Sequence, residues 1–241
     1  MIVKKRGILI YKTRFSDSSV IVHLLTEDSG RQSFLVKGIY SKKSKNKTSS
    51  VELMNILDMT AWKSTKSDLL TAKEINVLYH YHQIPHNFYK KTIALFIAEF
   101  LHRTIQTPDV DMKLYHFVED SILHFDSIEN NYSDFHLRFL SHFTKYLGIV
   151  PQNDYSVSKI YFNILTASFS NIQGEEVYFF NSSSSKILHE YLKANITDVI
   201  NQKYSLVQRN QFLDDILRFY AYHLSHFTGL KSISILKTIL H

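Results

Sequence analysis

The hydrophobic period of this chain changes once, near Pro85, and that change constrains its fold class more than any other feature. Before it, apolar residues come in short β-favouring runs: Gly7–Tyr11, Val20–Thr26, Ser33–Val36, Val51–Trp62 and Leu69–Leu78. β-branched and aromatic side chains in runs of this length suit a pleated, half-buried surface. Glu27-Asp28-Ser29-Gly30-Arg31 supplies a turn between the second and third runs, and the polar stretch Lys63–Asp68 separates the last two. Five strands within about 80 residues predict a small closed or partly closed barrel. An OB-fold is the commonest such barrel to carry a basic face; an SH3-like barrel fits the same pattern.

After Pro85 the period becomes helical. Phe88, Ile93, Phe96, Ile97, Phe100 and Leu101 form one stripe, and Leu114, Phe117, Val118, Ile122 and Phe125 a second. Phe135, Phe139, Leu140, Phe143 and Leu147 form a third, with Gly148 at the place of a left-handed C-cap and Pro151 beyond it. Ile216, Phe219, Tyr220 and Leu224 mark a fourth, ended near Gly229, and Leu236, Ile239 and Leu240 a short terminal helix. Residues 152–185 interrupt the pattern with two β-like runs, Ile160–Leu165 and Val177–Phe180, and a serine tract whose Ser184 or Ser185 would cap a helix starting near Lys186. The expected architecture is α+β: an OB-fold barrel over residues 1–80, then a mainly α-helical domain over 81–241 with a small insertion at about 152–185.

Charge separates the same two regions. Residues 1–80 hold 14 Lys and Arg against 7 Asp and Glu, whereas the remaining residues hold 14 against 15. The whole excess of the +6 chain is therefore N-terminal. An excess confined to one module points to an anionic partner. Its densest part, Ser41–Ser50, contains Lys42, Lys43, Lys45 and Lys47 and no apolar residue, which predicts a mobile loop between the third and fourth strands.

Several chemistries are excluded. With no cysteine, disulfides, thiol nucleophiles and cysteine-ligated metals are impossible. With six glycines and no GxGxxG or GxxxxGK[ST], a nucleotide-dependent motor or a dehydrogenase is not expected. His80, His82 and His86 form the densest histidine group, but no carboxylate or cysteine spacing completes a metal site around them. Asp214 and Asp215 point about 100° apart on a helix, so Asp214 reads as the i,i+4 ion-pair partner of Arg218. No secretory signal and no apolar run of membrane-spanning length is present. The expectation is a cytoplasmic, non-enzymatic protein without cofactor, metal or membrane attachment.

The segment Gly7–Gly38, GILIYKTRFSDSSVIVHLLTEDSGRQSFLVKG, resembles the N-terminal domain of the bacterial recombination mediator family RecO. The shared features are an apolar strand ending in Lys12, the Ser16-Asp17 turn, a strand ending Leu25-Thr26-Glu27, Gly30-Arg31, and a strand closing in Lys37-Gly38. Arg138–Pro151 and Phe212–Leu236 resemble the family's later helices. The resemblance implies binding to single- and double-stranded DNA, strand annealing, and loading of RecA onto DNA coated by the single-strand-binding protein SSB. The implied partners are RecR and the acidic SSB C-terminal tail. Many members carry a four-cysteine zinc site after the Leu-Gly-x-x-Pro segment. This chain has none, which implies that Tyr161, Phe162 and Phe169 stabilise the insertion by packing.

On this reading Arg14, Arg31, Lys37, Lys42, Lys43, Lys45 and Lys47 contact phosphates, with Lys37 the sharpest candidate. Phe15 and Tyr40 are placed to stack bases, while Phe34 belongs to the core. For the acidic, apolar-ended SSB tail the candidates are Arg103, Arg138 and Lys145, the last two on one helix two turns apart. An RNA-binding OB protein and a pure interaction scaffold stay open, since nothing here reads a 2′-hydroxyl.

Overall fold

The computed structural model describes residues 1–41, 48–64, 67–106, 109–199 and 203–239. Five strands, β1 (Ile2–Arg14), β2 (Val20–Thr26), β3 (Gly30–Val36), β4 (Ile56–Trp62) and β5 (Leu70–Val77), close into a barrel in the order β1-β2-β3-β5-β4. Every neighbouring pair is antiparallel except β3 and β5, which run parallel. This OB-like barrel followed by helices is the predicted α+β architecture.

The long first strand makes closure possible. Its first half pairs with β4, from Ile2↔Trp62 to Ile8↔Ile56, and its second half with β2, from Gly7↔Thr26 to Arg14↔Val20. Gly7 sits where the two pairings overlap, and a Cβ there would lie 2.9 Å from the Leu25 carbonyl oxygen. Only glycine lets the strand pass that closely. Alternate side chains then point inward. Val20, Val22, Leu24, Phe34, Leu57, Met59 and Ala61 are buried in one core. Phe34 is thus core, as expected. The fourth run begins later than its composition suggests: Thr48–Val51 is a 3-10 turn, and Met54 takes a left-handed φ of 67° that breaks the extended backbone before Ile56.

Two helices complete the first compact unit, Met1–Ser127. They are α1 (Phe88–Thr104), capped by the Asn87 side chain accepting from the Lys90 amide, and α2 (Met112–Ser127). Phe88 is 66% exposed in the first turn of α1, outside the buried stripe assigned to it, whereas Ile93, Phe96, Ile97, Phe100 and Leu101 are buried. The chain leaving the barrel is held by the buried Asp126 of α2. Its carboxylate accepts from the backbone N–H groups of His82, Gln83 and Ile84 at 2.8, 2.9 and 2.9 Å.

The second unit, Ile128–His241, contains α3 (Phe135–Phe143), β6 (Tyr161–Asn163), β7 (Ser168–Ser170), α4 (Ser182–Lys193), α5 (Leu206–His223) and α6 (Ile233–Ile239). The third stripe stops being α-helical at Phe143 and continues as a 3-10 turn, Thr144–Leu147, closed by left-handed Gly148 (φ 71°). Arg138 and Lys145 therefore do not share one α-helix. In the insertion, β6 pairs with Ser168–Ser170, and Val177–Phe180 contributes a 3-10 turn and one bridge, Asn163↔Phe179. Phe162 and Phe169 are buried with rings 5.2 Å apart, and Phe162 also meets Phe180 and Phe219. Aromatic packing thus fills the space inside the insertion, and no thiol is present there to ligate zinc.

Two local expectations are corrected. The cap of α4 is Asn181, whose side chain accepts from the Ser184 amide. Ser184 and Ser185 lie inside the helix and are buried, with Ser185 Oγ accepting from the Phe162 amide at 2.8 Å. Arg218 pairs with buried Asp215 at 2.6 Å, while Asp214 faces outward to Lys237. Spacing alone allowed either aspartate; the interior side of α5 selected Asp215. Among the described residues no helix is long and apolar enough to cross a membrane.

Candidate nucleic-acid interface

Strand register gathers several basic and aromatic residues at one end of the barrel. Arg14 is opposite Val20, Val20 opposite Val36, Leu35 opposite Thr71, and Thr71 opposite Trp62, which faces Ile2. β1 and β3 run in the same direction, so the loop after β1 and the segment after β3 leave from the same end, while the start of β5 lies beside the last residues of β3. The first two are tied together: the Tyr40 amide donates to the Ser18 carbonyl at 3.2 Å and the Gly38 amide to Ser19 Oγ at 3.4 Å.

Arg14 and Lys37 are both exposed here. The Arg14 guanidinium donates to the Ser16 and Asp17 carbonyls at 3.3 Å each and lies 6.0 Å from the Tyr40 ring centre. Phe15 and Tyr40 are 57% and 46% exposed, so two aromatic faces stand beside two cations. Cations beside open aromatic faces can engage phosphates and unpaired bases together. Lys42, Lys43, Lys45 and Lys47 lie outside the described residues; the chain enters that segment at Ser41, next to Tyr40.

Arg31 is placed elsewhere. Its guanidinium donates to the carbonyls of His102 and Ile105 at 3.3 and 3.0 Å, satisfying the C-terminal end of α1. The same contact stacks Tyr11 on His102 with ring centres 3.9 Å apart and sets His23 Nδ1 2.8 Å from Ser33 Oγ. Burial, aided by the Arg31 charge, lowers His102 to about 4 and pulls His23 below its ordinary value. Both imidazoles are neutral at pH 7, and the outer face of β1, β2 and β3 is partly covered by the last turn of α1. Lys12 is also engaged, donating to the Val51 carbonyl at 2.7 Å.

The three residues considered for an acidic peptide differ in the same way. Arg138 is buried, and its guanidinium donates to the carbonyls of Asn195, Ile196 and Asp198 at 2.8, 2.7 and 2.6 Å. Lys145 is exposed in the turn after α3, with Val150 53% exposed shortly beyond. Arg103 is half-buried on α1 in the first unit. His80, His82 and His86 are exposed, and among the described residues no three His, Asp or Glu side chains converge as metal ligands.

Sequence reasoning assigned no role to Trp62. It sits inside a strand-like run, where a tryptophan reads as core, yet it is 48% exposed on the barrel exterior. Its place on the outer face follows from alternation with buried Met59 and Ala61, a signal visible only once the register is known.

Comparison with known proteins agrees with this architecture. A family model described as Recombination protein O N terminal matches residues 1–81, and one described as Recombination protein O C terminal matches residues 85–232. The protein named DNA repair protein RecO in Phocaeicola vulgatus is 30% identical over 99% of both chains. The proteins of the same name in Azobacteroides pseudotrichonymphae and Flavobacterium johnsoniae are 28% and 30% identical, again over 99% of both chains. By both its halves and its whole length, this chain belongs to the recombination protein O family.

Proposed function

We propose that this chain is a non-catalytic mediator of DNA repair and recombination. It binds single- and double-stranded DNA through the loop end of its barrel, anneals complementary strands and, with RecR, helps load RecA on SSB-coated single strands. The observation that carries this reading is the convergence of Arg14, Lys37, Phe15 and Tyr40 at the point where the lysine-rich segment departs. Lys42, Lys43, Lys45 and Lys47, which follow in sequence, supply further positive charge for phosphate contacts. Backbone contacts carry no sequence information, so binding is sequence-tolerant. Arg31 contributes by fixing the helix end against the barrel. The SSB tail, acidic and apolar at its end, is met by Lys145 beside exposed Val150, with Arg103 a separate cation on the first unit.

With about five phosphates neutralised, log K falls with log salt at a slope of about −3.5 on single strands. Replacing both Arg14 and Lys37 by alanine brings the slope to about −2. A slope near zero in the unaltered protein removes the electrostatic basis of the proposal. The mediator role is tested by annealing complementary strands pre-coated with SSB. Acceleration that needs the acidic SSB tail, and that weakens with Lys145→Ala, is the expected result. DNA binding without any acceleration contradicts it.

A further inference from the structure

Trp62 is the single tryptophan of the chain and stands on the outside of the barrel, 48% exposed. It ends β4 between Ile2 of β1, itself 49% exposed, and Thr71 of β5. β5 bulges beside it: Thr60 faces Glu74 and Ala61 faces Ala72, so Lys73 is left over and its ammonium lies 5.9 Å from the indole centre. Lys4, one row along β1 opposite Thr60, and Lys63, the next residue, are exposed as well. Glu74 in the neighbouring row, Asp58 further along the same face of β4 and Asp68 in the following loop are opposing carboxylates. This part of the exterior lies away from the patch of Tyr11, His23 and Arg31 that the last turn of α1 covers.

An indole left open to water beneath the Lys73 ammonium, with Lys4 on the same outer face and Lys63 exposed at the strand end, matches an anionic ligand with flat apolar faces. Bases stack on aromatic side chains irrespective of identity, and lysines hold the phosphates on either side. A duplex keeps its base faces inside its own stack, so such a platform serves unpaired bases alone. Along the sheet, Trp62 is separated from β3, which ends at Val36 just before Lys37, by β5 only, about two strand spacings or ~10 Å. A strand held at Arg14 and Lys37 thus reaches it directly.

We propose that Trp62 is a base-stacking platform for single-stranded DNA, with Lys4, Lys63 and Lys73 holding the flanking phosphates, and that it sets the preference for single over double strands. The inference rests on the DNA-binding reading above and adds a specificity determinant to it. Because the chain has one tryptophan, its own emission reports the contact.

The full-length protein is titrated with an oligo-dT and, separately, with a blunt duplex of the same length, while Trp62 emission and the anisotropy of labelled DNA are followed together. The expected result is saturable quenching by the single strand and little by the duplex. Trp62→Ala weakens single-strand binding about tenfold and leaves duplex affinity within about twofold, while Trp62→Phe retains most of the affinity. Single-strand binding that saturates in anisotropy without quenching, together with unchanged affinity of Trp62→Ala, overturns the platform and leaves the DNA-binding reading standing. Equal losses for single strand and duplex overturn it too. If neither DNA binds at low salt, both the platform and the reading beneath it fall.

Discussion

Single arginines in this protein illustrate how a cation can be consumed by structure. Arg138 looks from sequence like a site for an acidic ligand, yet its guanidinium closes three backbone carbonyls at Asn195, Ile196 and Asp198. Burial lowers its pKa, with nearby Tyr191 and Asp198 working the other way. Removing one partner of a buried, charge-assisted set leaves the others unsatisfied. Arg138→Ala is therefore expected to cost about 3 kcal/mol of stability in urea denaturation, and Arg138→Lys to recover part of it. Lys145→Ala, on an exposed turn, should stay within about 0.5 kcal/mol in the same assay. The sequence could not separate these two residues. Both are basic at helical spacing, and the partners of Arg138 are backbone groups 57 to 60 positions away.

Elements were legible where their apolar period was strong and their neighbours continuous. Each barrel strand coincides with one of the apolar, β-favouring runs because one face of each is buried, but β1 and β3 extend beyond Gly7–Tyr11 and Ser33–Val36 to Ile2–Arg14 and Gly30–Val36. The insertion was harder. Ser168–Ser170 carries a single apolar residue, Phe169, and so gives no alternation, whereas Val177–Phe180 looks like a strand and makes one bridge. What holds this region is the ring cluster of Phe162, Phe169, Phe180 and Phe219. Phe162 is fully buried there, so Phe162→Ala is expected to cost about 3–5 kcal/mol, measured as a lowered urea midpoint at unchanged slope. A substitution with no effect would mean that the insertion is held by something other than these rings. The start of α5 was readable in principle: Ser205 and Gln208 form a reciprocal capping box that marks Leu206 as the first helical residue.

At the scale of the whole molecule, charge is unevenly shared, while histidines whose pKa is lowered by burial occur in both units. The basic excess lies in the first 80 residues, whereas the most strongly perturbed histidine, His136, lies in α3 of the second unit. Burial, reinforced by the charge of Arg209, lowers it from 6.5 to about 3. Between those values the unfolded chain holds a proton there that the folded chain does not, so this contribution to stability falls as pH falls. The slope is about 1.4 kcal/mol per pH unit through that window. The stability difference between the unaltered protein and His136→Gln should accordingly shrink from pH 6.5 downward and stay level above it, as read from urea denaturation at each pH. A difference independent of pH would mean that the ring titrates normally in the fold. The contact of Arg31 with the end of α1 carries a consequence for evolution. Because the acceptors are backbone carbonyls, position 31 should keep its arginine among relatives while the side chains at 102 and 105 vary. An arginine retained there would record inheritance of the seam, while the history of DNA binding would be written at positions 14 and 37.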